Sequence, residues 1–376
     1  MLPQELIDHI IDCLGADKET DPKVCKAALQ ACSQASWSLC IPSRKVLFSE
    51  VTLLENTKRR NKDQATAKLR DLAQILQLDP ARSHPYLPPL TAHIRVLTIH
   101  LDRVPDTILP AHEVTSIICN ILPLLTSVEK VSLKTMRYIF DNRFVSCSWD
   151  LVNDSKKSAL LEFCKSPSII SMHISHVKRL PPNLFTDCPN LKFLSLDCVE
   201  SPCRDLPASW STSSAGLQPW TPSLETLSIK FSGEMATLLS EIHQYTEFKS
   251  RPPPFMASVS KMDVSSFCLD GLSDWTLIQT VSEPSLQYLR ISDIRCEVNF
   301  PGAVDFGILK HVEILELQGV FGAEDRGLRT FHHWTTFSTK SNPAKSTSIH
   351  TLIFDIEWVG CQKGDEDTVF VPDGGW

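Results

Sequence analysis

The chain has 376 residues, of which 42% are apolar and 22% are charged, and its formal net charge is −7. This composition is typical of a globular protein and excludes an intrinsically disordered chain. The acidic balance argues against the basic surface that nucleic-acid-binding proteins need. No apolar run approaches the length of a membrane-spanning helix, and acidic residues occur too early for a signal peptide.

Neither the cysteines nor the histidines suggest a cofactor or metal site. The 13 cysteines are odd in number and never form a Cys-x-x-Cys pair, which predicts reduced thiols and a cytoplasmic or nuclear location. His173 and His176 lie in a predicted strand at a spacing that sends them to opposite faces. Glycine-rich phosphate loops and nucleophile elbows are also missing from the sequence. We therefore expect no cofactor, no metal and no catalytic centre.

The first segment, residues 1–54, reads as three short helices. Pro3 suits the start of the first helix and Gly15 its end. Helical spacing places five apolar residues on one stripe of this helix: Leu6, Ile7, Ile10, Ile11 and Leu14. A second helix is predicted from Val24 to Ser36. Pro42 is expected to end this part, with a short third helix from Ser43 to Phe48 and extended chain over Val51, Leu53 and Leu54. From the pattern alone, a helical cap on the following domain explains this segment equally well.

Particular residues of this segment resemble a known family. They are Leu2-Pro3-x-Glu5-Leu6, the segment from Cys32 to Trp37, Arg44 and the ending Leu47-Phe48-x-x-Val51. Together they resemble the F-box proteins abundant in mushroom-forming fungi, which carry an irregular leucine-rich region behind the box. The resemblance implies docking on a Skp1-type adaptor and, through it, on a cullin. It also implies the positions that contact the adaptor or support the docking: Leu2, Pro3, Leu6, Ile7, Leu29 and Trp37.

Residues 55–92 are predicted to connect this segment to the rest of the chain. The basic cluster from Lys58 to Lys62 favours a solvated helix start, with a nuclear-import signal as the alternative. Helical spacing of leucines and alanines predicts a helix from about Lys62 to Leu78. The prolines at 85, 88 and 89 then indicate an extended link.

Residues 93–376 contain nine copies of an apolar triplet with the pattern L-x-x-L-x-L. The copies are Ile94/Leu97/Ile99, Val128/Val131/Leu133, Ile169/Met172/Ile174, Leu191/Leu194/Leu196, Leu224/Leu227/Ile229, Val259/Met262/Val264, Leu286/Leu289/Ile291, Val312/Leu315/Leu317 and Ile349/Leu352/Phe354. Such repetition at an irregular period indicates a solenoid. Helical stretches between several copies, around 114–125, 160–163 and 235–248, imply parallel strands with crossover helices. The predicted fold is therefore α/β, an irregular leucine-rich-repeat-like solenoid with a parallel sheet on the concave side and helices outside.

The repeats depart from a standard leucine-rich repeat at one position. The third residue after each triplet should be Asn or Cys, but six copies have an apolar residue instead: Met136, Val177, Val199, Phe267, Ile294 and Val320. We expect an apolar ridge to replace the usual asparagine ladder. Long loops are predicted at Ser201 to Thr221 and at Ser250 to Pro254.

Alternation along the strands assigns a candidate binding face. If the triplets point into the core, the residues between them point to the concave side, and this set includes Lys130, Lys134 and His173. Seven others are the candidate target-binding residues: Phe193, Asp197, Lys230, Tyr288, Arg290, Glu316 and Gln318. Mixed charge with a few aromatics is typical of protein recognition, although an ordinary solvated face remains the alternative at any one position.

Together these patterns predict three parts: an F-box domain at 1–54, a helical linker with the first outer helix at 55–92, and a leucine-rich-repeat-like recognition domain at 93–376. The resemblance implies a non-catalytic substrate receptor of a Skp1–cullin–F-box ubiquitin ligase with an unknown protein substrate. The alternatives are an F-box scaffold acting outside the ligase and an uncharacterised enzyme. Neither nucleic acid nor a membrane is an expected partner.

Overall fold

The computed structural model describes an α/β chain with two compact units, Met1–Leu224 and Glu225–Trp376. The described residues are 3–16, 21–53, 62–77, 88–101, 110–135, 139–140, 143–144, 146–201, 224–248, 255–265, 277–278, 280–281, 285–292, 309–322 and 348–359. Apart from Ser201, the two predicted long loops lie outside them. The predicted division at residues 54 and 92 remains a prediction about domain organisation.

The first unit begins with three helices, α1 (Gln4–Ala16), α2 (Pro22–Ala35) and α3 (Trp37–Leu47). The first two follow the predicted bounds within a few residues. Asp21 caps α2 by accepting a hydrogen bond from the Lys23 backbone N–H at 2.9 Å, and Pro22 fills the first helical position, where an N–H has no helical partner. Ile11, Cys25 and Leu29 are buried where the helices pack together.

The prediction that Pro42 ends a segment and that a new helix begins at Ser43 is wrong. Pro42 lies buried inside α3, which runs unbroken from Trp37 to Leu47. Proline has no N–H, so the carbonyl of Ser38, four residues earlier, lacks its usual helical donor. The Gln4 side-chain amide of α1 donates to that carbonyl at 3.0 Å. A contact from another helix therefore compensates for the proline, and no pattern local to α3 predicts it.

α1 and α3 lie side by side and run in the same direction. Gln4 reaches Ser38 at their first turns, and Gly15 faces Val46 at their last turns. A Cβ atom added at Gly15 would lie 2.5 Å from the Val46 Cγ1 atom. Gly15 therefore permits the close approach of these two helix ends.

Gly15→Ala is expected to destabilise the chain by about 1–3 kcal/mol, since the overlap with a stiff β-branched side chain outweighs the higher helix propensity of alanine. Urea denaturation of the single variant and of Gly15→Ala with Val46→Ala measures the effect. Relief of the overlap should make the double variant lose less than the sum of the two single changes. Stabilisation by Gly15→Ala alone would contradict the close approach.

Five parallel strands form the sheet of the first unit. They are β1 (Glu50–Leu53), β2 (Val96–Leu101), β3 (Lys130–Thr135), β7 (Ser171–Ser175) and β9 (Phe193–Asp197), paired in that order. Short strands outside it are β4 (Ile139–Phe140) with β5 (Arg143–Phe144), and β6 (Cys147–Ser148) with β8 (Val177–Lys178). The four sequence triplets of this unit fall on β2, β3, β7 and β9. They share one register, so Leu97, Val131, Met172 and Leu194 are direct neighbours.

Helices follow the strands along the chain and cover one side of this unit's core. They are α4 (Lys62–Gln77), α5 (Pro110–Ile121), α6 (Asp154–Cys164) and α7 (Asn183–Thr186), and each packs against the next. Arg70 of α4 and Glu113 of α5 form an ion pair. The apolar stripes of these helices are buried together with the strand triplets, so the core lies between the two layers.

The second unit repeats the strand pattern in five further parallel strands. They are β10 (Thr226–Lys230), β11 (Lys261–Ser265), β12 (Tyr288–Ser292), β13 (Ile314–Gly322) and β14 (Thr351–Val359), paired in chain order. One helix, α8 (Gly233–Phe248), follows β10. All nine predicted triplets therefore lie at strands, which confirms the repeat prediction.

The ninth triplet departs from the prediction that triplet side chains are buried. Leu352 and Phe354 of β14 are 50% and 52% exposed, whereas the triplet residues in the other eight strands are buried. Among the described strands β14 is the last in the order and pairs only with β13. A strand at the end of an array has neighbours on one side only, so its apolar residues receive less cover.

The backbone turns in the same way after three strands. The residue directly after β7, β9 and β10 has a positive φ, at His176 (58°), Cys198 (52°) and Phe231 (49°). The chain bends at each of these left-handed residues, and the next residue (Val177, Val199 or Ser232) is buried. At Val177 and Val199 this burial agrees with the predicted apolar ridge. Met136, Phe267 and Ile294 lie outside the described residues, and the side chain of Val320 is not described.

Candidate functional site

Two of the N-terminal helices carry exposed apolar residues. At 100° per residue, the apolar stripe of α1 spreads over roughly 140° of the helix, with Leu6 at one margin and Ile11 at the other. Leu6 and Ile10 are 50% and 49% exposed, Leu14 and Ile7 are half-buried, and Ile11 is fully buried. The helix therefore covers only one margin of its stripe within this chain and leaves the other margin in solvent.

α3 has a second exposed pair. Trp37 is 63% exposed and Ile41 is 38% exposed, and a spacing of four residues places them on the same side of the helix. Since the first turns of α1 and α3 are joined by the bond from Gln4 to Ser38, the two pairs lie at the same end of the helix pair. We call Leu6, Ile10, Trp37 and Ile41 the helical face. Its combination of a tryptophan with aliphatic residues is the composition of a binding hot spot.

The residues predicted for adaptor docking occupy different environments. Leu6 and Trp37 belong to the helical face, and Ile7 is half-buried beside it. Pro3 is exposed, and its carbonyl accepts hydrogen bonds from the Leu6 and Ile7 N–H groups at 3.2 and 3.3 Å. Leu29 is 4% exposed, so any contribution to docking is through packing. Leu2 lies outside the described residues.

The sheets provide two further surfaces, one in each unit, formed by the strand residues between the triplets. The first sheet face consists of such residues on β1, β2, β3, β7 and β9, and it includes His100, Ser132, Lys134 and His173. The His173 Nδ1 atom lies 3.0 Å from the Ser195 hydroxyl oxygen on the next strand. Burial lowers the pKa of His100 and of His173, and the nearby Lys134 ammonium lowers both further. This face therefore holds two largely neutral imidazoles around a lysine.

The second sheet face, formed by the corresponding residues of β10–β14, carries a continuous polar network. The Tyr288 hydroxyl donates to a Glu316 carboxylate oxygen, and the Arg290 Nε atom lies 3.2 Å from the other one. That approach is an ion pair without hydrogen-bond geometry, because in the part of the chain that the structure describes Nε has no hydrogen-bond partner. The Arg290 guanidinium donates to the Gln318 side-chain carbonyl oxygen at 2.8 Å. The Gln318 side-chain NH2 group donates to an Asp355 carboxylate oxygen at 3.0 Å. We call Tyr288, Arg290, Glu316, Gln318 and Asp355 the polar network.

Partial burial gives the polar network strong electrostatics. The Glu316 side chain is only 16% exposed. Desolvation and the hydrogen bond to Glu316 raise the pKa of Tyr288 to about 12, so its hydroxyl stays protonated and keeps donating. Desolvation also raises the pKa of Asp263, which precedes Arg290 in the same row of the sheet. Long side chains that are already fixed by such contacts lose little entropy when a partner binds.

Four of the predicted target-binding residues contact one another, and the other three lie outside this group. Tyr288, Arg290, Glu316 and Gln318 belong to the polar network. Lys230 lies at the end of β10, where its Nζ atom is 5.8 Å from the centre of the Phe231 ring. Phe193 and Asp197 lie at opposite ends of β9 in the first unit, and Phe193 is 42% exposed.

Some surface residues were not singled out from the sequence. Ile10 and Ile41 belong to the helical face, and Asp355 ends the polar network. Helical spacing places Ile10 on the stripe but does not tell which margin is exposed. Alignment of the triplets of β13 and β14 places Asp355 directly beside Gln318, and this alignment would have indicated Asp355 as a surface residue. Within the described residues no group of three or more His, Cys, Asp or Glu side chains is arranged to hold a metal ion.

Comparisons with known proteins identify no family. No protein-family model matches the sequence, and no curated protein matches it. One solved structure that matches is an internalin (inlF) from Listeria monocytogenes, at 10% sequence identity and a TM-score of 0.30, covering 90% of this chain and 91% of that chain. These values are too low for the internalin to indicate what this chain does. None of the described helices has the length and apolar character needed to span a membrane.

Proposed function

We propose that this chain is a non-catalytic substrate receptor of a Skp1–cullin–F-box ubiquitin ligase. In this proposal the N-terminal helices dock a Skp1-type adaptor, and the sheet faces bind a protein target. The observation that carries the proposal is the helical face, whose exposed residues include Leu6 and Trp37, two positions at which the sequence resembles an F-box.

The energetics of the helical face support a docking role. Full burial of one large apolar side chain stabilises a complex by about 1.5–3 kcal/mol. Leu6, Ile10, Trp37 and Ile41 are each 38–63% exposed in the chain alone. Two parallel helices hold them in place, so docking needs little rearrangement of the backbone. Exposed apolar side chains held by a rigid backbone are typical of positions that a partner covers.

The sheet faces support the second half of the proposal. The polar network combines an aromatic hydroxyl, a guanidinium and carboxylates in fixed positions, a mixture common in protein-recognition surfaces. A receptor needs no catalytic groups of its own. It holds the target close to a conjugating enzyme that carries ubiquitin, and this raises the effective concentration of the acceptor lysine. Work of this kind would place the chain in the cytoplasm, the nucleus or both.

Direct binding to purified components tests the proposal. The full-length chain is mixed with a purified Skp1-type adaptor and titrated by calorimetry, and the complex is then challenged with the N-terminal part of a cullin. A one-to-one complex that recruits the cullin is the expected result. Failure to bind the adaptor would overturn the proposal. Adaptor binding that blocks cullin recruitment would instead support a scaffold that acts outside the ligase.

A further inference from the structure

Four polar residues of the first sheet face lie on three adjacent strands. His100 of β2 is the direct register partner of Lys134 on β3, and Ser132 of β3 is the direct partner of His173 on β7. Neighbouring strands are about 4.8 Å apart, and side chains two residues apart on a strand share a face. The four side chains therefore form a zigzag across β2, β3 and β7, with Lys134 and the shorter Ser132 of β3 between the two histidines.

Two atoms of this group lack the hydrogen bonds that buried polar atoms normally have. His100 Nδ1 and Ser132 Oγ are both shielded from solvent, and among the described residues neither has a hydrogen-bond partner. Leaving a buried donor or acceptor unpaired costs stability, so folded proteins rarely keep one without a reason. A polar ligand that enters between the longer side chains would provide the missing partner.

The charges of these four side chains indicate which kind of ligand they can bind. Lys134 is the one lysine of the four, and within the described residues it has no ion-pair partner. His100 and His173 are largely neutral at pH 7, because burial and Lys134 both lower their pKa values. They therefore act as neutral N–H donors beside the Ser132 hydroxyl. One positive charge with neutral donors complements one negative charge.

Doubly charged ligands fit this position less well. The described strands of the first sheet carry no arginine, the residue that best recognises phosphate through paired hydrogen bonds. Asp197 occupies the same row as Lys134, two strands away, and repels additional negative charge. The set of donors is thus matched to a carboxylate better than to a phosphate dianion.

We propose that His100, Ser132, Lys134 and His173 form a site that binds a single Asp or Glu side chain of a partner protein. Lys134 supplies the ion pair, and the imidazole and hydroxyl groups supply hydrogen bonds to the carboxylate oxygens. The inference rests on the proposed function only in taking a sheet face as the surface on which a target binds. It requires neither the helical face nor an adaptor.

Peptide titration of the full-length chain tests this site. The probe is a short peptide with the core Gly-Glu-Gly, and histidine ring signals are followed by NMR. Peptides with Gln or phosphoserine in place of Glu serve as comparisons. We expect the Glu peptide to shift the signals of His100 and His173 and to bind about tenfold more tightly than the Gln peptide, as for a charge-assisted hydrogen bond. Equal binding of the Glu and Gln peptides would overturn the proposal, and tighter binding of the phosphoserine peptide would overturn its assignment to carboxylate.

Lysine substitutions on β3 provide a matched pair. Lys134→Met should weaken binding of the Glu peptide by about tenfold, whereas Lys130→Met, on the same strand and the same face, should leave it within about twofold. Equal losses in both variants would show general attraction to a basic surface and overturn the site. Thermal unfolding of each variant confirms that it is folded before binding is compared.

The pH dependence gives an independent readout. A bound carboxylate favours the charged imidazole, so peptide binding should raise the pKa of His100 and of His173. Among the described residues, the charged or titratable groups that act on the two rings are Lys134, Asp197 and His176. Affinity should increase as the pH falls from about 8 to about 6, and a flat profile would contradict the site.

The two proposals can fail separately. If the chain binds the adaptor but not the Glu peptide, only this inference is rejected. If it binds the Glu peptide but not the adaptor, only the docking half of the proposed function is rejected.

Discussion

Replacing Leu6 and Trp37 together by alanine is expected to abolish capture of a Skp1-type adaptor by the full-length chain. The two side chains are 50% and 63% exposed on adjacent parallel helices, and a partner that covers them gains most of its binding energy from such anchors. Loss of two central anchors should cost about 4 kcal/mol, or roughly a thousandfold in Kd. Calorimetric titration with the purified adaptor measures the change.

The same chain offers a matched control for this experiment. Ile75 of α4 and Leu151 are 46% and 50% exposed, and neither belongs to the helical face. The double variant Ile75→Ala, Leu151→Ala removes comparable apolar surface and should bind the adaptor like the unmodified chain. Both double variants should unfold at similar urea concentrations, since exposed side chains contribute little to stability. Undiminished adaptor binding by the Leu6→Ala, Trp37→Ala variant would show that docking does not use the helical face.

Replacing Lys156 by methionine is expected to stabilise the chain at neutral pH and to change how stability depends on pH. Lys156 is 2% exposed in the first turn of α6. Burial lowers the pKa of its ammonium from 10.5 to about 7. The positive end of the helix dipole is a further unfavourable neighbour for a cation.

The sign of the effect follows from proton binding. Between pH 7 and 10.5 the unfolded chain holds a proton on Lys156 that the folded chain has released, so the stability of the wild type rises with pH. Below this range both states are protonated, and the full cost of burying the charge is present. The wild type should therefore gain up to about 1.4 kcal/mol per pH unit relative to Lys156→Met within this range, and on the order of 3–5 kcal/mol in total.

Urea denaturation at several pH values between about 7 and 10 measures this difference. Lys157→Met is the matched control, because that side chain is a neighbour on the same helix turn but is 21% exposed. Its stability should follow the pH profile of the wild type. Parallel profiles for the wild type and Lys156→Met would show that the folded chain does not bury a charge at this position.

The strand repeats were predictable because their pattern and their burial have the same cause. In a parallel array with one fixed register, each strand must place the same two positions in the core, and this spacing is visible in a single sequence. The first strand was not counted among the repeats, although Val51 and Leu53 are buried like the triplet residues of β2, their register partners. The sequence pattern places these residues at the end of the F-box-like segment. Only their pairing with β2 shows that they belong to the sheet.

The candidate surfaces were less predictable, because they depend on which side of an element remains uncovered. The stripe of α1 was recognised correctly as apolar, yet periodicity gives Ile10 and Ile11 equal weight, although one is 49% exposed and the other is fully buried. The difference arises from where α3 packs, and that position depends partly on the contact between Gln4 and Ser38. The polar network likewise depends on which side chains of β12, β13 and β14 reach one another, and the triplet spacing alone does not give these contacts.

The left-handed turns after β7, β9 and β10 bear on how this chain can vary. Glycine adopts that conformation without strain, but the three positions hold His176, Cys198 and Phe231, at a cost of about 1–3 kcal/mol each. Each turn therefore keeps a side chain at the rim of its sheet, and Phe231 presents an exposed ring there beside Lys230. The same backbone conformation occurs with three different residue types at this position. Exchange of these residues for one another offers a way to alter what the rim recognises without redesigning the sheet.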